Sequence, residues 1–330
     1  MILCIFLSLI FLNIFLCLNY QYLGNKFKIF DYPDKKLKIH KKKTPLLGGI
    51  FFILNLLILV FIDQSFYEIF SFEKYREMIS FIILILSFFF IGLYDDKYRI
   101  SFEIRIVLGV LFTLMAVLIN QNLKIHDLLF SFYEHPIFLK NFSLFFTLFS
   151  ILAFIHATNM FDGINSQLII FYLILNTFLF FISDHNFIFL FFYPILVSLL
   201  ILNFNGKIFL GDGGSYSLGA MYSFFIIYQY TTFKKIFFVE EILILTLIPG
   251  LELLRLSFYR ISKGRNIFSG DLEHIHHLLS KRFSQIQTNL IVSILIVIPI
   301  FFLLFAQINL HLIVFISILS YFLIIYLLKK

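Results

Sequence analysis

The chain has 330 residues, 61% of them hydrophobic and 20% aromatic, with 49 Phe, no Trp and only 14% charged. A soluble domain of this length cannot bury so much apolar surface, so lipid is the solvent for most of the chain and the soluble globular classes are excluded. The net charge of +7 would suggest nucleic acid in a soluble protein. Here the excess of Lys and Arg in cytoplasmic loops of membrane proteins accounts for it, and no nucleic-acid partner is expected.

A spanning helix needs about 20 mainly apolar residues. Eleven such segments follow in chain order, at 2–22, 45–63, 78–94, 102–120, 142–158, 166–183, 187–204, 215–232, 240–258, 288–306 and 308–328. The first lacks a basic leader and an A-x-A-like cleavage site, so it reads as a retained helix. The two cysteines, Cys4 and Cys17, both lie in it. That leaves no loop cysteine for a disulfide framework or a thiolate metal site. No soluble domain fits between the segments, and residues 1–330 read as one integral membrane domain of all-α, polytopic class.

Placing the N-terminus outside puts roughly 20 of the 26 Lys and Arg on one side, with Arg105 and Arg255 counted there as helix-end charges. This asymmetry predicts an outside N-terminus and a cytoplasmic C-terminus. The same parity sends five polar clusters to the cytoplasmic face, each in or beside a different loop.

The first, "DYPDKKLKIHKKKTPLLGG", carries Lys35, Lys36, Lys38, His40, Lys41, Lys42 and Lys43 before Gly48 and Gly49. Most of these bases read as an anchor touching anionic lipid. The second, "YDDKYR", holds Asp95 and Asp96 at a helix end. Adjacent carboxylates repel, so a cation is expected to hold them. The alternative is two solvated charges. "TNMFDGINS" supplies Asn159, Asp162 and Asn165, with amide and carboxylate groups suited to ribose, base or sugar hydroxyls. Its alternative is a polar helix end with an Asp-Gly turn. In "FLGDGGS", Asp212 is bracketed by Gly211, Gly213 and Gly214 ahead of a helix expected to start at Ser215. A glycine-rich helix start offers free N–H groups to an anion, and Asp212 can hold a hard cation beside it. Its alternative is a plain loop with Ser215 as N-cap.

The fifth cluster, "SGDLEHIHH", contains His274, His276 and His277. Zinc wants about four tetrahedral ligands. On a continuous helix His274 and His277 share a face and His276 does not. The other clusters offer carboxylate, amide and glycine, which suit magnesium and phosphate. The histidines therefore read as phosphate or sugar contacts, supported by Arg265, Lys281 and Arg282. The alternative is a solvated polar loop. Together the clusters point to Mg²⁺-assisted phosphoryl transfer at a membrane surface.

These motifs, in this order, resemble the polyprenyl-phosphate N-acetylhexosamine-1-phosphate transferases. That family includes the initiators of O-antigen, common-antigen and teichoic-acid linkage lipids and the enzyme of the first peptidoglycan lipid intermediate. The resemblance covers nearly the whole chain: P-x-x-GG at 45–49, "YDDK" at 94–97, N-x-x-D-G at 159–163, "FLGDGGS" at 209–215 and "HIHH" at 274–277. It implies transfer of a sugar 1-phosphate from a UDP-sugar to a polyprenyl phosphate, with release of UMP. It implies Mg²⁺ as cofactor, or Mn²⁺ in its place, an inner-membrane location with a cytoplasmic site, and compatibility with a homodimer. By resemblance Asp95 is the base for the lipid phosphate with Asp96 beside it, and Asp212 is the metal ligand. Phe209 stacks on uracil, and Lys97, Asn159, Asp162 and Asn165 belong to the substrate site. Arg265, His274, His276 and His277 face the diphosphate or sugar. "HIHH" and "TPLLGG" are closer to the GlcNAc branch than to the peptidoglycan enzyme, so a UDP-N-acetylhexosamine, UDP-GlcNAc first, is the expected donor.

Two departures bear on the sugar. Relatives with D-G-x-D-G carry an acid and a glycine where this chain has Asn165 and Ser166, and Leu272 stands where an Arg is common. From another class, a lipid or solute transporter would place its ionisable residues near the midplane in interrupted helices. Here the acids crowd the predicted cytoplasmic ends.

Overall fold

The computed structural model describes residues 2–33, 42–65, 69–70, 72, 74–183, 187–266, 271–306 and 308–330. Lys35, Lys36, Lys38, His40 and Lys41 of the basic loop, and Ser269 and Gly270 of the histidine cluster, lie outside the described residues. The chain is a polytopic, almost wholly helical membrane protein. In hydrocarbon every backbone N–H and C=O needs an internal partner, which drives each apolar run into a helix. Ten of the eleven expected segments fall on one each, and the first, 2–22, on two. Among the described residues seven helices are long and apolar enough to cross a bilayer, or eight if the bent pair α1 (Ile2–Leu18) and α2 (Tyr20–Phe27) counts as one span. The large apolar side chains left outward, such as Phe11, Val107, Phe258 and Phe305, are what a lipid-facing surface requires.

Contacts divide the chain into two compact units, residues 1–120 with 168–222 and residues 121–167 with 223–330. In the first, α1 packs on α8 (Phe187–Phe204) and α3 (Gly48–Ser65), and α4 (Tyr75–Tyr98) packs on α5 (Phe102–Ile119). Asn13 of α1 and Asn55 of α3, both buried, exchange amide bonds of 2.7 and 3.2 Å. Asn13 also donates to the Leu9 carbonyl at 2.8 Å. The two-residue strands β1 (Phe30–Asp31) and β2 (Thr44–Pro45) pair antiparallel. This unit also holds α7 (Gln167–Ile182) and the first half of α9 (Gly211–Thr231).

In the second unit, α6 (Ser143–Phe161) packs on α10 (Val239–Ser262). Around α10 stand α12 (Gln285–Phe305) and α13 (Leu310–Lys329), and the short α11 (Ile275–Ser280) rests on that last pair. Ser284 opens α12 as a capping box with Gln287. A hairpin of β3 (Asp127–Phe130) and β4 (Tyr133–Phe138) departs from the expected helix-only fold. It is tied to α10 by Glu240, which accepts from the Ser131 N–H at 2.9 Å and its hydroxyl at 2.8 Å.

Candidate active site

In the first unit the signatures meet through the backbone. The segment entering α3 runs beside the segment entering α9. The Phe209 N–H donates to the Pro45 carbonyl at 3.0 Å, the Gly48 N–H to Phe209 at 3.1 Å and the Gly49 N–H to Leu210 at 3.2 Å. A Cβ on Gly48 would meet the Leu210 Cα at 2.6 Å, and one on Gly49 the Gly214 nitrogen at 2.6 Å. Glycine is required at both because backbone meets backbone.

The paired aspartates at the end of α4 diverge. Asp95, buried, takes a 2.6 Å bond from Arg105 Nη1 on α5, and Arg105 also reaches the Tyr216 hydroxyl at 3.3 Å. Asp96 turns to the start of α9. Its Oδ1 accepts the Asp212 N–H at 2.9 Å and its Oδ2 the Gly213 N–H at 3.1 Å. The like-charge pair thus meets a guanidinium on one side and a helix N-terminus on the other. Gly92, one turn back on α4, makes this possible, since a Cβ there would meet the Asp212 carbonyl at 2.3 Å.

This arrangement corrects three expectations. α9 begins at Gly211, four residues before the anticipated start, because Asp96 supplies its cap from another helix. Ser215 sits inside the helix and donates to the Asp212 carbonyl at 3.3 Å. The N–H groups of Asp212 and Gly213, expected to face an anion, are taken by Asp96. Arg105, a helix-end charge in the topology count, does lie in the first turn of α5 and there partners Asp95.

Asp212 occupies the first turn of α9, half-buried, and Phe209 is half-buried three residues before Asp212. Lys97 is exposed, with its ammonium 5.1 Å from the Tyr98 ring centre. Among the described residues no three His, Cys, Asp or Glu side chains converge on a metal position. The donors gathered here are carboxylate oxygens. They fit a hard cation such as Mg²⁺, which takes one or two carboxylates and completes its shell with water and phosphate.

In the second unit, α6 ends at Phe161 and the "DGINS" turn follows. The Asp162 N–H closes back on the Asn159 carbonyl at 3.2 Å. The Asn165 carbonyl accepts from Asn289 at 2.9 Å. Ser166, the glycine position of the D-G-x-D-G pattern that this turn resembles, is buried with φ at 76°. That left-handed conformation favours glycine. Gly163 has a different reason. A Cβ there would meet His276 Nε2 at 1.7 Å.

His276 is fully buried. Its ring lies on Gly163, with Gln167 Nε2 3.5 Å from its Nδ1. His274 is the N-cap of α11 and has extended backbone, so it leaves the helical phase. Its ring stacks on His276 at 5.0 Å and 16° rather than pairing flat with His277. His277 is half-buried, 4.4 Å from the His276 ring. Burial, then the neighbouring imidazoles, push His276 well below the usual histidine range and His277 down to about 4. Both rings are therefore neutral at pH 7. Arg265 is exposed after α10, its N–H bonded to the Arg260 carbonyl at 2.9 Å.

Sequence reading missed the group beneath this loop. Glu252 and Arg255 of α10 and Tyr321 of α13 form one network under the histidines. An acid and a base three residues apart inside an apolar helix was the available signal. Arg255, a helix-end charge in the topology count, stands seven residues before the end of α10 at Ser262.

A family model described as glycosyl transferase family 4 matches residues 78–230. That range contains both aspartates of α4, the "DGINS" turn and Asp212, and stops before the histidines. Three similar proteins carry the name undecaprenyl-phosphate alpha-N-acetylglucosaminyl 1-phosphate transferase. The one from Thermotoga maritima is 27% identical over 81% of this chain and 78% of its own length. The one from Salmonella typhi is 27% identical over 78% and 70%. The one from Escherichia coli O157:H7 is 29% identical over 58% and 55%.

Proposed function

The chain belongs to glycosyl transferase family 4, the family of the polyprenyl-phosphate N-acetylhexosamine-1-phosphate transferases, and we propose that it transfers GlcNAc-1-phosphate from UDP-GlcNAc to undecaprenyl phosphate. An oxygen of the lipid phosphate attacks the phosphorus that carries the sugar. The bond from that phosphorus to the bridging oxygen breaks, and its electron pair leaves on UMP. The product is a lipid-diphosphate sugar that starts an envelope glycan.

The observation that carries this reading is the junction of α4 and α9. Three carboxylates of one unit occupy two helix ends and each has a distinct setting. Asp95, gripped by Arg105, is the base for any remaining proton on the lipid phosphate. Asp96 is a positioning residue, since both of its oxygens hold the turn that presents Asp212. Asp212 is the ligand for Mg²⁺, or Mn²⁺ in its place. When bound, that cation neutralises charge on the diphosphate. Phe209 serves as the face for uracil and Lys97 as a phosphate contact. In the second unit Asn159, Asp162 and Asn165 serve nucleotide or sugar hydroxyls. There His277, neutral and half-buried, is a hydrogen-bond donor for the sugar phosphate, with Arg265 and His274 assigned to the same substrate. We extend the proposal to one integral domain of eleven spans in a bacterial inner membrane, with the N-terminus outside and the site cytoplasmic.

Exchange of labelled UMP into a panel of UDP-sugars, in vesicles carrying the protein and undecaprenyl phosphate, tests this. Exchange should favour UDP-GlcNAc, require Mg²⁺ or Mn²⁺ and vanish in Asp212→Asn. Full exchange in that variant, or none with any UDP-sugar, would overturn the proposal.

A further inference from the structure

Glu252 is fully buried in α10, and several donors surround its carboxylate. Arg255 Nη2 donates to Oε1 at 3.0 Å and to Oε2 at 3.1 Å, and the Tyr321 hydroxyl bonds Oε1. Burial of an acid at this depth is sustained only by such pairing. Two further bonds leave the network for the loop. Arg255 Nη2 donates to the Glu273 carbonyl at 2.8 Å, and Glu252 Oε2 accepts the Ile275 N–H at 3.3 Å. These two backbone groups straddle His274. The acid also faces His274 Nδ1 at 3.5 Å. A second ion pair acts just upstream. Arg260 Nε holds Asp271 at 2.8 Å, and Asp271 in turn accepts the Glu273 N–H at 2.9 Å.

The histidine helix is too short to fix itself. α11 has six residues, whereas an isolated helix needs about 12–15 to be even marginally stable in water. Its first turn therefore takes its position from outside. The backbone on both sides of His274 is bonded to α10, and His274 stacks on His276, which packs against Gly163 and His277.

We infer that Glu252 and Arg255 are positioning residues that clamp the backbone either side of His274 and so set the pose of the three-imidazole stack. The inference deepens the transferase reading and rests on it for its kinetic consequence. Neither side chain touches substrate. Each acts through the loop. A buried ion pair kept only for stability would bind its own helices together and leave the loop to its own bonds.

The test uses the full-length protein in nanodiscs, with Glu252→Gln, Glu252→Asp and Arg255→Lys. Glutamine keeps one acceptor oxygen for Tyr321 but removes the charge that holds Arg255. Amide hydrogen exchange should speed up at least tenfold in residues 273–279 of Glu252→Gln while α6, α12 and α13 stay protected. With UDP-GlcNAc varied, KM for the nucleotide sugar should rise about tenfold, with KM for the lipid phosphate unchanged. Glu252→Asp should recover part of both effects. Exchange at 273–279 unchanged from wild type would overturn the clamp. So would exchange raised equally in every helix of the unit, since that marks a purely structural role. A wild-type protein without transferase activity would sink the proposed function, and the exchange measurement would still decide the clamp.

Discussion

Replacing Gly163 with alanine puts one methyl group against a fully buried ring. The glycine does not have a positive φ, so the backbone accepts alanine and any cost is one of space. The new Cβ would lie 1.7 Å from His276 Nε2, 2.3 Å from Cε1 and 2.7 Å from Cδ2, where ordinary contact starts at 3.4 Å. The ring would have to retreat by roughly 1.7 Å, into His274 and His277 on its other sides. Overpacking of a filled core costs about 1–3 kcal/mol. At 1.36 kcal/mol per decade, a strain of that size passed to the pose of His277 lowers turnover about 5- to 150-fold. The assay is transfer of labelled GlcNAc-1-phosphate to undecaprenyl phosphate by purified protein, with thermal unfolding beside it. The decisive comparison is the double variant Gly163→Ala/His276→Ala. With the ring gone the methyl has room, so the double variant should be no worse than His276→Ala alone, a coupling of more than 0.5 kcal/mol. Wild-type behaviour of Gly163→Ala, or strictly additive losses in the double variant, would refute the packing of His276 on this turn.

Asp96→Asn keeps one acceptor and turns an amide donor toward a backbone N–H, so it should lower stability by about 1–3 kcal/mol and show a lower unfolding midpoint. An unchanged midpoint would remove Asp96 from the cap of α9. Ser166→Gly should stabilise by about 1 kcal/mol by relieving a left-handed residue, whereas Ser166→Ala should not. Equal effects of the two would mean that backbone strain is absent there. Acidification should destabilise the protein between about pH 6.5 and about pH 4. Unfolded histidine takes its proton near 6.5, while burial delays His277 to about 4. Across that window this histidine binds more proton in the unfolded chain than in the folded one, so its contribution to stability rises with pH and falls as pH drops. His277→Gln should flatten this slope, as unfolding midpoints measured from pH 4 to 7 would reveal.

The apolar segments were legible because hydrocarbon length and backbone satisfaction leave a chain few choices. Ten of them fall on a single helix each, and the first, 2–22, runs over the bend between α1 and α2. The acids and glycines of "YDDK" and "FLGDGGS" were legible as a pair of special helix ends, but not as partners of each other. That Asp96 caps α9 depends on α4 approaching it, which Gly92 permits and no local pattern announces. The start of α9 was misplaced for the same reason, since its cap is 116 residues away in sequence. His274 and His277 were assigned a common face by helical periodicity, which fails at an N-cap with extended backbone. Arg105 and Arg255 enter the charge count only as helix-end charges, because a tally of the two sides cannot see the acids they pair with. Ser166 stood out as a departure from its relatives, and its positive φ shows why glycine suits that position.

The reciprocal amides of Asn13 and Asn55 place a condition on biogenesis. The two residues are 42 positions apart, so at about 5–20 residues per second the ribosome delivers the second roughly 2–8 s after the first. Until α3 is made, α1 carries a polar amide without its partner. Its N–H₂ can lean on the Leu9 carbonyl of its own helix, but the amide oxygen waits for α3. The hydrogen bonding of α1 is thus completed only when α3 packs against it, which makes the pairing of these two helices a condition for satisfying the first.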